Sequence, residues 1–230
     1  VHDLSFRDRA VFLAGPEVLV VADLHVGRDE ASGVEFPLGE RSDLHERLDR
    51  LLAHYDPAEV VVAGDVLHSF SHVAPSIEAS LYELAGCCHD VGARLVLVAG
   101  NHDTVLSEVW DGPVHDSYRL DDGTVICHGH ELVDDPATRY VVGHDHPAIE
   151  IEGRRRPCYL FGEGVYRGTD VLMLPAFNRL AAGVPVNEMQ TSDFQSPFVT
   201  DADVFRPIVY DADSHETLRF PPLGEFRRML

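Results

Sequence analysis

Residues 18–27 read VLVVADLHVG, five apolar residues followed by an aspartate and a histidine two positions apart. A continuous apolar run of this kind, without polar alternation, reads as a strand buried on both faces. Ending such a strand on Asp23 and His25 brings an oxygen donor and a nitrogen donor to one edge of a sheet, the arrangement a metal ion needs. The same hand-over recurs in VVVAGDVLH (60–68), LVLVAGNHD (95–103), TVICHGH (124–130) and YVVGHDH (140–146).

Working outward, Leu44, Leu48, Leu51 and Leu52 fall on one helical face that starts at Arg41 and is ended by Asp56-Pro57. Ile77, Leu81, Leu84 and Cys88 mark a second face, closed by Gly92. Short strands are expected at Leu4 to Phe6 and Ala10 to Leu13, and a loop at Arg28 to Glu40. The β-α-β-α-β alternation predicts parallel strands, whose ligands collect beyond their carboxyl ends. After Asp103 the pattern changes to a hairpin around Asp122-Gly123 and short strands near 140–142, 148–151, 158–161, 170–174, 208–210 and 217–220. These predict a second, largely antiparallel sheet and hence an α/β fold, a four-layer α-β-β-α sandwich of two mixed sheets spanning 1–230 as a single domain.

The chain has 230 residues, 39 of them acidic and 18 basic, for a formal charge of −21. Every basic residue is arginine. The acids are spread along the chain, so the surface repels itself and tolerates strong screening; in this it resembles proteins of salt-accumulating archaea. Nonspecific attraction to nucleic acid is expected to be poor, so phosphate recognition falls to metals and individual arginines. No run of 18 apolar residues appears, and VHDLSFRDR lacks the order of a signal peptide, so a soluble, cytoplasmic protein without membrane contact is expected. Cys87, Cys88, Cys127 and Cys158 show no C-x-x-C spacing and read as buried free thiols.

Taken in order, Asp23-x-His25, Gly64-Asp65, Gly100-Asn101-His102-Asp103, His128 and Gly143-His144-x-His146 resemble the signature of the calcineurin-like metallophosphoesterases. The resemblance implies a dinuclear metal centre. Asp65 would bridge, with Asp23, His25 and His146 completing one site and Asn101, His128 and His144 the other. Two cations neutralise phosphoryl oxygens and ionise a water, which is what phosphate-ester hydrolysis requires. His130 is a second possibility for the place given to His128, and the resemblance favours His128. His102 would face the substrate as general acid, oriented by Asp103. Mixed Asp, Asn and His ligation suits Mn²⁺ first, or Fe²⁺ or Zn²⁺. His144-Asp145-His146 lacks the further Asp-His of a metallo-β-lactamase loop.

The glycines before Asp65, Asn101 and His144 are expected to serve sharp turns. Arg28 and His68 are expected to touch substrate, with His130 beside them; His72 lies in the same loop as His68. Arg154-Arg155-Arg156 is placed at a hairpin turn. ADLHVGRDEASGVEFPLGE (22–40) and LPAFNRLAAG (174–183) look like the ligase-associated DNA-damage-response endonucleases, with Arg28 where lysine is common. Three readings follow: a phosphodiesterase or nuclease acting on DNA or RNA, a phosphomonoesterase on nucleotides or small molecules, and a non-catalytic metal-binding scaffold. Intact His102 weighs against the last.

Overall fold

Two hairpin strands, β1 (Leu4–Arg7) and β2 (Ala10–Leu13), lead antiparallel into β3 (Val18–Val21), the strand of the VLVVADLHVG stretch. The chain continues through α1 (Arg28–Ala31), α2 (Glu40–Tyr55), β4 (Glu59–Ala63), α3 (Pro75–Asp90), β5 (Arg94–Val98), α4 (Leu106–Val109) and β6 (Val114–His115). Strands β3 to β6 are parallel, and the six strands form one sheet in sequence order. The structure is a computed structural model and describes residues 3–31, 39–69, 73–134 and 136–229.

The alternation of the buried strands explains their apolar runs. Leu19, Val21, Val60, Val62 and Leu97 pack against Leu44, Leu48, Leu51, Leu81 and Leu84 of α2 and α3. Their neighbours Val18, Val20, Val61, Ala63, Val96 and Val98 point the other way, into the space between the two large sheets. Helix ends follow local chemistry. Pro75 opens α3, where its missing N–H costs nothing, and Asp56, in a left-handed conformation with its N–H returned to the Leu52 carbonyl, closes α2 ahead of Pro57.

The second half supplies β7 (Ser117–Arg119), β8 (Thr124–Cys127), β9 (Arg139–Val142), β10 (Pro147–Ile151), β11 (Arg154–Pro157), β12 (Tyr159–Tyr166), β13 (Thr169–Met173), β14 (Val184–Pro185), β15 (Arg206–Asp211) and β16 (Glu216–Arg219), then α5 (Leu223–Phe226). Seven of these strands make the second large sheet, in the order β16-β15-β12-β13-β9-β8-β7. Ile126, Val141, Leu172, Tyr159 and Phe161 turn from it toward the first sheet and close the central core.

The sandwich of two mixed sheets is the expected one, with two differences of detail in how the second sheet is flanked. The second sheet is mixed: β8, β9 and β13 are parallel at its centre, which brings the ends of β8 and β9 out beside those of β3, β4 and β5. Strand β10 leaves it for a separate three-stranded sheet with β11 and β14, so Arg154, Arg155 and Arg156 lie on a strand, not at the turn before it. The outer face of the second sheet is covered by this small sheet, by Phe194, Phe198 and Phe205 and by the four-residue α5, whereas two 16-residue helices cover the other side. All four cysteines are buried and free, as expected.

Candidate metal centre

The loops leaving β3 and β4 stay in register past the strand ends. Asp23 N–H donates to the Gly64 carbonyl at 3.1 Å, and His25 N–H to the Asp65 carbonyl at 2.9 Å. This carries Asp23, His25 and Asp65 side by side to the edge where β5, β8 and β9 deliver Asn101, His128, His144 and His146. Five of these seven residues, Asp23, His25, Asp65, His144 and His146, have positive φ, between 44° and 75°. A non-glycine residue held there costs of order 1–3 kcal/mol, and such strain persists only where the surroundings enforce it.

The donor atoms gather in two sets. Asp23 Oδ1 lies 3.2 Å from His146 Nε2, which lies 3.3 Å from His25 Nε2, which in turn lies 3.7 Å from Asp65 Oδ2. In the second set His128 Nε2 stands 3.0 Å from Asn101 Oδ1, 3.1 Å from His144 Nδ1 and 3.4 Å from Asp65 Oδ1. Cation-to-ligand bonds of about 2.0–2.2 Å place neighbouring donors roughly 3.0–3.5 Å apart. The second set lies within this range and the first exceeds it only at the 3.7 Å between His25 and Asp65, and Asp65 turns one oxygen toward each set. His128 Nδ1 approaches the Ala63 carbonyl at 3.3 Å; a carbonyl only accepts, so Nε2 is left with its lone pair toward the cluster.

The electrostatics also call for cations. Burial, then the charge of Asp23, pushes the Asp65 carboxyl up to about 7. Burial drives His25 down to about 3, and burial followed by the neighbouring His128 drives His144 down to about 4. Burial pulls His146 down, but the charge and hydrogen bond of Asp23, with the charge of Asp65, raise it on balance. Without cations the cluster holds one ion pair, an acid that keeps its proton to near neutrality, and imidazoles whose nitrogens face one another. Residues 16–178 match the calcineurin-like phosphoesterase family.

This chain belongs to the calcineurin-like phosphoesterase family. It is therefore a hydrolase of phosphate esters that uses divalent metal ions. Among solved structures it resembles nuclease MPE of Pseudomonas putida, at 25% identity over 88% of each chain and a TM-score of 0.62. It also resembles the phosphoesterase Yfce of E. coli (14% identity, 89% of this chain and 98% of that one, TM-score 0.46) and a dimetal phosphatase of Danio rerio (9%, 89% and 98%, TM-score 0.40). No curated protein matches the chain.

In this phosphoesterase His102 is half-buried at the edge of the cluster. Its ring nitrogen Nδ1 lies 3.1 Å from the His68 carbonyl, so Nδ1 carries the hydrogen and Nε2 faces inward, 3.9 Å from Asp65 Oδ2. The imidazole is thus oriented by the backbone of residue 68. Asp103, expected to orient His102, accepts from the backbone N–H groups of Val66, Leu67 and Gly100 at 3.1, 2.9 and 2.8 Å. It clamps the loop after β4 to the loop after β5 because three backbone donors there have no strand partner.

His68 stacks on His102 at a ring separation of 6.0 Å and meets His25 edge-on at 5.6 Å. Arg28 is half-buried, and its charge helps to depress His25 and His68. His130 lies 5.2 Å ring to ring from His128 and 6.0 Å from His144, and lines an adjoining cleft of about 190 Å³ with His128, Asp116 and Glu131. His72 lies outside the described residues.

Of the three glycines expected to serve turns, only Gly64 needs a positive φ, 81°. Gly100 and Gly143 are there for space. A Cβ at Gly143 would come within 2.6 Å of Asp23 Oδ2, and one at Gly100 would collide with the Asp65 carboxylate.

Sequence reading missed the layer that holds the donors in place. Glu40, buried at the start of α2, accepts from the N–H groups of Gly27 (2.9 Å) and Arg28 (3.2 Å) and from the Asn178 amide. Asn178 also donates to the carbonyls of Leu24 (2.8 Å) and His25 (3.4 Å). Arg47, fully buried on a helix read only for its leucines, donates to the carbonyls of Phe177 (2.6 Å) and Asp8 (2.7 Å) and lies over the Phe177 ring. Asp145, between two of the histidines, accepts from the N–H groups of Gln195 and Ser196. The only hint in the sequence was that Glu40 and Asn178 sit in the two segments that carry the endonuclease resemblance.

Proposed function

We propose that this phosphoesterase cleaves phosphodiester bonds in nucleic acid. Asp23, His25, Asp65 and His146 hold one divalent cation, and Asp65, Asn101, His128 and His144 hold the second. The observation that carries this reading is Asp65, whose two oxygens face different donor sets while His102 Nε2 stands 3.9 Å away. Cations bound there supply charge neutralisation at the phosphoryl oxygens and a water ionised near neutral pH.

The chain's own residues do the rest. His102, with Nδ1 fixed on the His68 carbonyl, exchanges its proton at Nε2 and delivers it to the leaving oxygen. Arg28 offers a fork to a non-bridging oxygen, and His68 and His130 flank the ester. The oxygen and nitrogen donors favour Mn²⁺, with Fe²⁺ or Zn²⁺ as substitutes. The Pseudomonas putida relative is a nuclease, which supports a nucleic-acid substrate here. The shared core between the sheets supports one domain over 1–230, and the charge of −21 without lysine supports work in concentrated salt. Among the described residues no helix is long and apolar enough to cross a membrane; a cytoplasmic place agrees with the free thiols.

The test is a substrate panel in Mn²⁺ at molar KCl with bis-p-nitrophenyl phosphate, p-nitrophenyl phosphate and labelled single-stranded DNA and RNA. The expected result is cleavage of the diester and of at least one nucleic acid, lost in Asp65→Asn. Turnover of the monoester alone would overturn the diester reading.

A further inference from the structure

A second cluster of metal-binding side chains lies on the outer helices, apart from the centre described above. Positions 41, 45 and 49 run down one face of α2, and positions 83 and 87 run down the facing side of α3. Arg41 and Glu83 pair across the helices and satisfy each other. Below them His45 Nε2 lies 3.1 Å from Cys87 Sγ, and His45 Nδ1 lies 3.3 Å from Asp49 Oδ2. These two distances run from opposite ring nitrogens, only one of which can bind a given cation; with one donor atom taken from each side chain, all three lie within 4.8 Å of one another. We propose that His45, Asp49 and Cys87 form a separate site for a borderline-soft divalent cation of the zinc class, linking α2 to α3.

An aspartate and a histidine four residues apart on a helix are a common surface pair and carry little energy. The sulfur aimed at them from the facing helix sets this pair apart. Bonds of about 2.3 Å to sulfur and 2.0–2.1 Å to nitrogen separate the two donors by roughly 3.5 Å in a tetrahedral site, close to the 3.1 Å observed. One thiolate, one carboxylate and one neutral imidazole balance a dication. The thiolate excludes Mg²⁺ and Ca²⁺, which take oxygen ligands.

A cation has to displace the thiol proton, because the thiolate is the ligand. Burial, then Asp49, pushes Cys87 up to about 12, and its S–H donates to the Glu83 carbonyl at 3.2 Å. Without a cation it stays protonated. On binding, the thiol proton is released to solvent and sulfur takes the cation, as coordinated thiols do. The side chains of His45 and Asp49 are 40% and 52% exposed, so the cation enters from solvent and keeps a water in its fourth position. The same helix begins at Glu40, which holds the Gly27 and Arg28 amides, so fixing α2 against α3 steadies the loop beside His25.

The dinuclear centre offers only nitrogen and oxygen donors, so sulfur ligation reports on this second site alone. The experiment loads the 230-residue chain with Co²⁺ and records the near-ultraviolet absorption. The expected result is a thiolate-to-cobalt charge-transfer band that is lost in Cys87→Ser. Asp49→Asn and His45→Ala, both at exposed positions that leave the core intact, should weaken the binding read at that band at least about ten-fold. A wild-type protein without the band, or a band unchanged in Cys87→Ser or in both surface variants, would overturn the proposal.

Discussion

Asn178 donates from Nδ2 to the carbonyl of Leu24 at 2.8 Å, across 154 residues of sequence. The bond ties the C-terminal segment to the loop between the two donors that follow β3, and the same amide reaches Glu40. Outer partners of this kind fix the geometry of metal-binding side chains. Asn178→Ala should therefore lower cation affinity about 10–100-fold while the fold persists. Calorimetric titration with Mn²⁺ beside circular dichroism checks this; unchanged affinity would remove Asn178 from the centre's support.

His102→Ala and Asp65→Asn should fail differently. Loss of His102 removes a proton donor and leaves both donor sets complete, so kcat should drop about 10²–10⁴-fold with two cations still bound. Loss of a carboxylate oxygen at Asp65 touches both sets, so cation stoichiometry should fall together with activity. Elemental analysis of the dialysed variants distinguishes the two.

Cation binding should release protons and weaken in acid. Burial and the charge of Asp23 raise Asp65 to about 7 in the cation-free protein. Below that pH a cation must displace the carboxyl proton, and above it the carboxylate is already formed. The Mn²⁺ dissociation constant should rise as pH falls from 8 to 6, and titrations in buffers of different ionisation enthalpy measure the protons released.

Glu40 gives a stability prediction with the opposite dependence on pH from an ordinary ion-paired acid. Burial, then the hydrogen bond with Asp29, raises it from 4.5 to about 7. The folded state holds the proton where the unfolded state has lost it, so its contribution is complete below about 4.5 and is lost as pH rises through 7. In cation-free protein Glu40→Gln should flatten the fall in melting temperature over this window. An unchanged slope would assign the dependence to other groups.

The net charge of −21 predicts a melting temperature that rises with KCl as carboxylate repulsion is screened. Thermal melts from about 0.1 M to molar KCl test this, and a melting temperature that falls with salt would contradict it.

Buried strands announce themselves because both their faces are apolar. Val18–Val21, Glu59–Ala63 and Arg94–Val98 were legible for that reason. The small sheet of β10, β11 and β14 was not. Its strands are short, and which sheet a strand joins depends on distant backbone partners that leave no periodicity. The bonds that Asp103 accepts from Val66, Leu67 and Gly100 were not legible either, because adjacency to His102 says nothing about backbone N–H groups from other segments.

The sequence alone determined which residues can ligate and the order in which strands deliver them, since residue type and apolar pattern are local properties. Only the tertiary structure decided how they converge. It gathers the candidate donors into two sets around Asp65, brings His128 within 3.0 Å of Asn101 and 3.1 Å of His144, and turns five of the seven residues into left-handed conformations. It also joins Asn178 and Glu40 around VLVVADLHVG. These features depend on distances between segments far apart in the chain, which packing of the two sheets fixes and local sequence does not encode.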